Sequence, residues 1–484
     1  MQNGAQKELR AVFETEKNML FSSIPFLYWF LPCVLLVYFL APRRLKNTVL
    51  LLASLVFYGW GEPRYLLVML ASIVQGYVFG LLIGKLRGRP AAKVCLAASV
   101  VLSFAALAYF KYADFFLANF NALTGLSVPL LRVALPVGIS FYTFQIVSYL
   151  VDVYRGDVAA QRSFVDLAAY VAMFPQLIAG PIVRYSDVAA QLRTRMHSVS
   201  DAAYGARRFV LGLAKKILLA NQLGALVSAF RTTKDGSVLY TWLYAVAFLL
   251  QIYYDFSGYS DMAIGLGRIF GFRFPENFNY PYIAASITEF WRRWHISLGS
   301  WFRDYLYIPL GGNRKGKGRQ LFNILIVWLA TGLWHGADWN FVLWGLWFAV
   351  LLLVEKLILL PVLQKRRGLG RCYVLLAVLL GFILFDASSV CDAWGTIRAL
   401  FGGGGLPLAS AEAVYQLRSC AVLLAIAAIG ATPLPRRAFD ALGKTHGGQA
   451  VLAVLEPVGL VGLLAVCTAY LVDGSFNPFL YFRF

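Results

Sequence analysis

"TGLWHGADWN" occupies residues 331–340, between two long apolar segments. Each segment approaches the roughly 20 apolar residues that a helix needs to cross a ~30 Å hydrocarbon core. The stretch places an ionisable imidazole, His335, between Trp334 and Trp339, with Asp338 three positions later. Ionisable residues in membrane segments are costly and usually functional. We therefore predict a chemical role for His335; the alternative is a histidine that hydrogen-bonds a neighbouring helix carbonyl.

The apolar character extends along most of the chain. Hydrophobic residues make up 60% of the 484 positions and charged residues 14%, against roughly 45–50% and about 25% in soluble domains. The sequence predicts an all-α integral membrane protein with about 11–13 transmembrane or re-entrant helices plus interfacial amphipathic helices. The predicted segments lie at about 21–40, 46–61, 65–85, 93–113, 128–153, 163–183, 206–230, 238–270, 321–335, 339–358, 371–387, 414–432 and 450–472.

Residues 1–18 differ from the rest, since they are polar and of mixed charge before Met19 opens the first apolar run. We interpret them as a leader, with an upstream-start extension, a non-native addition and an amphipathic surface segment as the alternatives. Residues 19–484 are predicted to form a single polytopic domain.

The net charge of +20 comes from 44 basic residues against 24 acidic ones. The basic residues cluster in short loops, notably at 314–319 and 365–371, which is the positive-inside pattern of membrane proteins. No segment resembles a groove-reading module, so we predict no nucleic-acid binding. Both loops should be cytoplasmic, and the two segments between them should therefore run in and out as a pair. This places His335 near their turn, away from the cytoplasmic surface.

The segment "SITEFWRRWHISLGSWFRDYLYIPL" (286–310) predicts an amphipathic helix at the membrane interface rather than a span. Ser286 and Glu289 fit a capping box, so the helix should begin near Ile287. At 100° per residue the apolar face of a continuous helix would also carry His295. That face comprises Trp291, Trp294, His295, Leu298, Trp301, Phe302 and Tyr305.

Other candidate chemistry is weaker. Four histidines are too few for a membrane di-iron site, and the residues around His335 do not support a facial triad with His295 and Asp338, so we predict no metal. A hydrolase-type nucleophile elbow is also not supported, because "GYSDM" lacks the second glycine. Asp255 and Asp261 would point about 240° apart on a helix and cannot form a dyad. Asp255 is expected either to orient a histidine or a backbone turn, or to be a buried structural carboxylate.

With these residues identified, the chain resembles the membrane-bound O-acyltransferase superfamily, in its bacterial alginate O-acetylation branch. The resemblance rests on six strings in a specific order. They are "FSSIPFLYWFLP", "LPVGISFYTFQIVSYLVDVYRG", "YYDFSGYSDMAIGLGRIFGF", "FWRRWHISLGSWFRDYLYIPLGGNR", "TGLWHGADWNFVLWG" and the ending "FNPFLYFRF".

The resemblance implies helices around a central funnel or tunnel, in a multi-pass protein of the bacterial cytoplasmic membrane. It implies that His335 corresponds to the family's histidine and His295 to its second position. It also implies acyl transfer from a cytoplasmic acyl-CoA or acyl-carrier-protein thioester, with no bound cofactor. The acceptor would be a hydroxyl on an exported polysaccharide, a cell-wall polymer or an extracytoplasmic partner protein.

A positioned imidazole suits this chemistry, because a hydroxyl becomes a good nucleophile only when a base takes its proton. We predict that His335 is the general base and that His295 is an orienter or oxyanion donor. The basic loop residues would attract an anionic carrier or coenzyme A; the alternative is a role in topology and lipid contacts. Supporting or orienting residues are expected to be Asp255, Asp338, Trp334, Asn313, Arg303 and Asp304, and the donor-docking residues Arg314, Lys315, Lys317 and Arg319.

Three alternatives remain open at this point. The acyl group is expected to be acetyl by resemblance, but D-alanyl or a longer chain is the rival within the family. The chain could also pass its acyl group to a partner protein that modifies the polymer. A different class is a lipid-linked sugar transporter or flippase, although no internal repeat of the kind common in transporters is visible.

Overall fold

A computed structural model describes residues 19–177, 180–233 and 236–473 of the chain. The predicted leader at 1–18 and the ending "FNPFLYFRF" lie outside these residues. Within them every regular element is helical and no β-strand occurs, so the predicted all-α class is confirmed.

The described residues up to 275 form eleven α-helices, which we label in chain order. They are α1 (Leu31–Leu40), α2 (Lys46–Gly61), α3 (Leu66–Lys85), α4 (Pro90–Thr124), α5 (Ile139–Arg155), α6 (Phe164–Ala172), α7 (Phe174–Leu177), α8 (Tyr185–Arg193), α9 (Val199–Ala214), α10 (Asn221–Thr232) and α11 (Val238–Ile269). A π-helical turn at Phe26–Phe30 leads into α1, and another at Lys215–Ala220 joins α9 to α10.

The later part, described as far as residue 473, adds ten α-helices. They are α12 (Ile287–Trp291), α13 (Ile296–Phe302), α14 (Lys317–His335), α15 (Trp339–Val354), α16 (Leu360–Lys365), α17 (Arg367–Asp386), α18 (Val390–Leu400), α19 (Ala411–Gly430), α20 (Leu434–Leu442) and α21 (His446–Val472). Further π-helical turns follow α13 at Arg303–Tyr307 and α15 at Glu355–Leu359.

Seven helices among the described residues are long and apolar enough to cross a membrane, judged by length and composition. The segment Phe26–Leu40 is apolar but shorter. The seven are Leu66–Lys85, Pro90–Thr124, Val199–Thr232, Trp339–Lys365, Arg367–Asp386, Ala411–Gly430 and His446–Val472.

Several predicted segments have the wrong bounds. The run at 93–113 is part of the longer helix α4, which extends from Pro90 to Thr124. The run at 128–153 is helical only from Ile139, because the stretch before it contains two prolines and Gly138 adopts a left-handed φ of 77°. Proline restricts both its own backbone and that of the residue before it. The run at 163–183 is likewise not one helix, because α6 ends at Ala172 and only the four-residue α7 follows before residue 178.

The described residues group into two compact units. The first comprises the residues up to 209, 259–275 and those from 468 onward. Its buried core is aromatic: Phe21 packs on Phe26 with ring centroids 4.8 Å apart and stacks on Tyr259 at 4.7 Å. Asp261 belongs to this unit and pairs with Arg208 at 2.9 Å.

The second unit comprises 210–258 and 276–467. Its central feature is the antiparallel hairpin of α14 and α15, whose backbones approach closely at two glycines. A Cβ on Gly332 would lie 2.4 Å from the carbonyl oxygen of Phe341, and one on Gly345 would lie 2.5 Å from that of Trp328. Only glycine fits such an approach, so these two positions fix how the hairpin closes.

Candidate active site

His335 is the last residue of α14, immediately before the turn of the hairpin. Gly336 is the C-terminal cap of α14, and Asp338 is the N-terminal cap of α15, where its Oδ1 accepts the backbone N–H of Trp339 at 2.6 Å. The predicted turn at His335 is therefore confirmed. Asp338 has a structural task in this turn, because N-cap carboxylates satisfy the otherwise unpaired amides of the first helical turn.

Aromatic rings surround the half-buried His335. Its ring centroid lies 4.9 Å from that of Trp334, 4.9 Å from that of Trp344 and 5.2 Å from that of Phe385. Trp339, which flanks His335 in the sequence, is 53% exposed, whereas Trp344 is 1% exposed. Sequence reasoning missed Trp344 and Phe385. Pairing Gly332 with Gly345 across the predicted hairpin would have placed the neighbouring Trp344 near His335.

The segment carrying His295 is broken rather than continuous, so the predicted single helix is wrong. His295 is the last of the four residues between α12 and α13 and has left-handed dihedrals, φ 45° and ψ 52°. Asn277 explains the break. Its backbone oxygen accepts the N–H of Ile296 at 3.0 Å, and its side-chain Oδ1 accepts the N–H of Ser297 at 3.2 Å. A continuous helix would direct both N–H groups to carbonyls four residues earlier.

The start of this segment agrees with the sequence. Oγ of Ser286 accepts the N–H of Glu289 at 3.0 Å, as a capping box requires. The Glu289 carboxylate accepts the N–H of Ala285 at 3.0 Å, whereas a capping box would have it accept the N–H of Ser286.

A buried carboxylate from another element completes this cap. Glu355, 0% exposed, accepts the N–H of Ile287 at 2.6 Å and that of Thr288 at 3.1 Å through its two oxygens. Together with Ser286 it satisfies the first three amides of α12. Sequence reasoning missed Glu355, because the chain separates it from α12 by 68 residues.

His295 is almost fully buried, at 3% exposure. Phe256 of α11 and Trp334 of α14 flank it, with ring centroids 4.7 and 6.0 Å away. Its Nδ1 lies 3.2 Å from Oδ1 of Asn277. The residue lies outside the seven apolar spans, and burial lowers its pKa to about 3. Both candidate histidines therefore contact the same indole, that of Trp334, which the sequence could not establish.

The remaining predicted residues occupy defined positions. Asp255 forms a buried ion pair with Lys216, whose Nζ lies 2.5 Å from its Oδ1. Arg303 pairs with the adjacent Asp304, with its Nε 2.6 Å from the carboxylate.

Asn313 and the four donor-docking candidates Arg314, Lys315, Lys317 and Arg319 are exposed. Of all these candidates, the structure shows His295, Trp334 and His335 in one cluster.

Comparisons with known proteins identify the family of the chain. Residues 157–363, which contain both histidines, match the model of the membrane-bound O-acyltransferase family. The probable alginate O-acetylase AlgI of Azotobacter vinelandii is 40% identical over 96% of this chain and 100% of its own length. The peptidoglycan O-acetyltransferase of Helicobacter pylori is 36% identical over 70% of each chain. The teichoic acid D-alanyltransferase of Bacillus subtilis is 28% identical over 45% of this chain and 58% of its own.

Near-complete coverage at this identity, the family match around the two histidines and the apolar helices lead to one assignment. The chain belongs to the membrane-bound O-acyltransferase family and is a multi-pass acyltransferase of the bacterial inner membrane.

Proposed function

We propose that this acyltransferase moves an acetyl group from a cytoplasmic thioester to a hydroxyl of an exported polysaccharide or cell-wall polymer. The acceptor hydroxyl belongs either to the polymer itself or to a partner protein that passes the group on. The similarity to an alginate O-acetylase and to a peptidoglycan O-acetyltransferase supports both the acetyl group and the polymer.

The observation that carries the proposal is the shared contact of His335 and His295 with Trp334 inside the family-matched region. His335 takes the proton of the hydroxyl, and the oxygen attacks the thioester carbonyl. The C–S bond then breaks, and the proton passes to the departing thiolate. A base of this kind contributes roughly 10²- to 10⁴-fold to the rate. The apolar rings around His335 limit access of water, which would otherwise hydrolyse the thioester.

The donor is an acyl-CoA or an acylated carrier protein, and we assign its docking to the exposed basic loop at 314–319. Coenzyme A and acyl carrier proteins are anionic, so a cluster of exposed cations attracts either one. No cofactor bound to the protein is needed for the reaction, because the thioester supplies both the acyl group and the leaving group.

A second candidate within the same chemistry is D-alanyl transfer, which the similarity to a teichoic acid D-alanyltransferase favours. The chemical steps are the same, and only the mass of the transferred group differs. One experiment therefore addresses both candidates.

The test is the ester-linked acyl content of extracellular polysaccharide and cell wall, released by alkali and weighed by mass spectrometry. Cells carry either the wild-type protein or His335→Ala, at matched amounts in the membrane. We expect one acyl species to disappear with the variant, and its mass identifies acetyl or D-alanyl. An unchanged ester profile would overturn the proposal. Reduced polymer export with unchanged acylation per sugar would instead favour the transporter alternative.

A further inference from the structure

Asn277 holds the His295 segment through four hydrogen bonds. Its backbone oxygen accepts the N–H of Ile296 at 3.0 Å. Its side-chain Oδ1 faces three more groups: the N–H of Ser297 at 3.2 Å, the Oγ of Ser297 at 2.8 Å and the Nδ1 of His295 at 3.2 Å. Asn277 is itself buried, at 1% exposure. A left-handed histidine costs free energy and persists where its surroundings hold it, and these contacts do so.

The pattern fixes which nitrogen of His295 carries the proton. A backbone N–H can only donate, so the Asn277 atom that faces Ser297 N–H must be the amide oxygen. That oxygen can only accept, so Nδ1 of His295, which also faces it, must be the donor. A neutral imidazole with its proton on Nδ1 has a bare lone pair on Nε2.

Nε2 of His295 is buried and has no hydrogen-bond partner among the residues that the structure describes. Buried polar atoms are normally paired, and leaving one unpaired costs about 1–3 kcal/mol. Phe256 offers no donor, and the indole N–H of Trp334 makes no hydrogen bond to this atom. A bare lone pair in the aromatic cluster where both histidines contact Trp334 is therefore a feature that a substrate can use.

We propose that Asn277 is a positioning residue that presents Nε2 of His295 as a neutral hydrogen-bond acceptor, and that Nε2 binds a second hydroxyl of the acyl acceptor. This inference rests on the proposed function. It names the acceptor class as a polyol or carbohydrate, in which a hydroxyl beside the reacting one can reach Nε2. It also replaces the oxyanion-donor role that the sequence predicted, because that role requires a proton on Nε2.

His295 holds this hydroxyl without taking its proton. Burial lowers its pKa to about 3, and a general base works best with a pKa near the working pH. The groups known to face the ring are Phe256 of α11, Trp334 of α14, Asn277 of the preceding loop and Ser297 of α13, all uncharged. Proton transfer accordingly remains with His335.

The tautomer can be measured directly, because the chain contains only four histidines. Protein labelled with ¹⁵N-histidine is placed in lipid nanodiscs, and the His295 signals are assigned by their loss in His295→Asn. We expect a neutral ring at pH 6, protonated on Nδ1 and bare on Nε2. A ring protonated on Nε2, or an imidazolium at this pH, would overturn the proposal whatever the enzyme's activity.

Two substitutions at Asn277 test its positioning role. Asn277→Leu keeps the size but removes the acceptor, so the tautomer should become mixed and the KM for the acceptor should rise about 3- to 10-fold, the value of one hydrogen bond. The rate constant kcat should change much less. Asn323→Leu is the matched control. Asn323 is a buried asparagine of the same unit whose Nδ2 donates to the carbonyl oxygen of Gly312 at 2.9 Å. This control substitution should leave the tautomer of His295 unchanged.

Asn277→Asp keeps the acceptor oxygen and adds a negative charge beside Nδ1–H. The charge raises the pKa of His295, because an adjacent anion favours the imidazolium. Below the raised pKa, Nε2 carries a proton and no longer accepts, so the acceptor KM should increase as pH falls from about 8 to 5, unlike that of the wild type. A pH profile identical to the wild type would contradict the proposal. An unchanged ester profile with His335→Ala would instead contradict the proposed function and leave the tautomer result standing.

Discussion

At the scale of single residues, the pair Lys216–Asp255 tests whether Asp255 serves the site or the fold. Both residues are buried, at 1% and 3% exposure. Each substitution removes the opposite charge that lies 2.5 Å from the remaining buried partner, so Lys216→Met and Asp255→Asn should each destabilise the protein by about 3–5 kcal/mol. The double variant Lys216→Met/Asp255→Leu should recover most of the melting temperature in detergent micelles.

The exposed pair Arg436–Asp440, 3.7 Å apart on α20, is the control, and its removal should change the melting temperature little. A stable double variant that transfers no acyl group would show that Asp255 also orients the site. A double variant as unstable as the single ones would contradict the account of the pair.

The sequence predicted His335, His295 and Trp334, because an imidazole in an apolar segment is conspicuous. It gave no signal for Asn277, whose role depends on which backbone amides face it after the chain has folded. The role of Lys216 could not be predicted either, because the sequence does not show which carboxylate a single lysine will pair with in the fold.

At the scale of elements, the cap of α12 positions the segment that leads to His295. Glu355→Gln keeps one acceptor oxygen and turns an amide NH₂ toward a backbone N–H, so a buried donor loses its partner. We expect a loss of about 1–3 kcal/mol in stability, together with a higher KM for the acceptor, because His295 lies four residues beyond the end of α12. Thermal unfolding and the dependence of turnover on acceptor concentration measure the two effects.

Glu289→Gln is the matched control for this cap. Glu289 serves the same end of α12 but is partly exposed, with 27% of its side chain accessible, so water can replace its contacts and the effect should be smaller. Glu355→Gln with wild-type stability and turnover would contradict the role assigned to Glu355.

The sequence predicted the end of a helix correctly where the apolar residues also end. The turn between α14 and α15 was found, because both apolar segments end there. The prediction of one continuous helix through residues 287–305 was wrong. Helical periodicity cannot show that a loop residue, Asn277, accepts two backbone N–H groups of this segment and so interrupts the helix. The start of α5 was missed for a related reason: apolar residues continue through a proline-containing loop without being helical.

At the scale of the whole molecule, the excess of positive charge should assist donor binding at the loop 314–319. Replacing Arg314, Lys315, Lys317 and Arg319 by glutamine should raise the KM for the thioester donor about tenfold at low salt, and added salt should reduce the difference. The exposed cluster Lys365, Arg366, Arg367 and Arg371 provides a control with the same charge. Equal shifts for both clusters would indicate a general surface effect and contradict specific docking.

Acyl transfer from a thioester to a hydroxyl, with His335 as the base, can be measured directly. The measurement is thiol release from an acetyl thioester by the purified protein in lipid vesicles, with and without a polysaccharide acceptor. His335→Ala is compared with His197→Ala, whose imidazole instead contacts the hydroxyl of Tyr38. We predict acceptor-dependent release that falls roughly 10²- to 10⁴-fold with His335→Ala and persists with His197→Ala. Release at the wild-type rate from His335→Ala would contradict the claim.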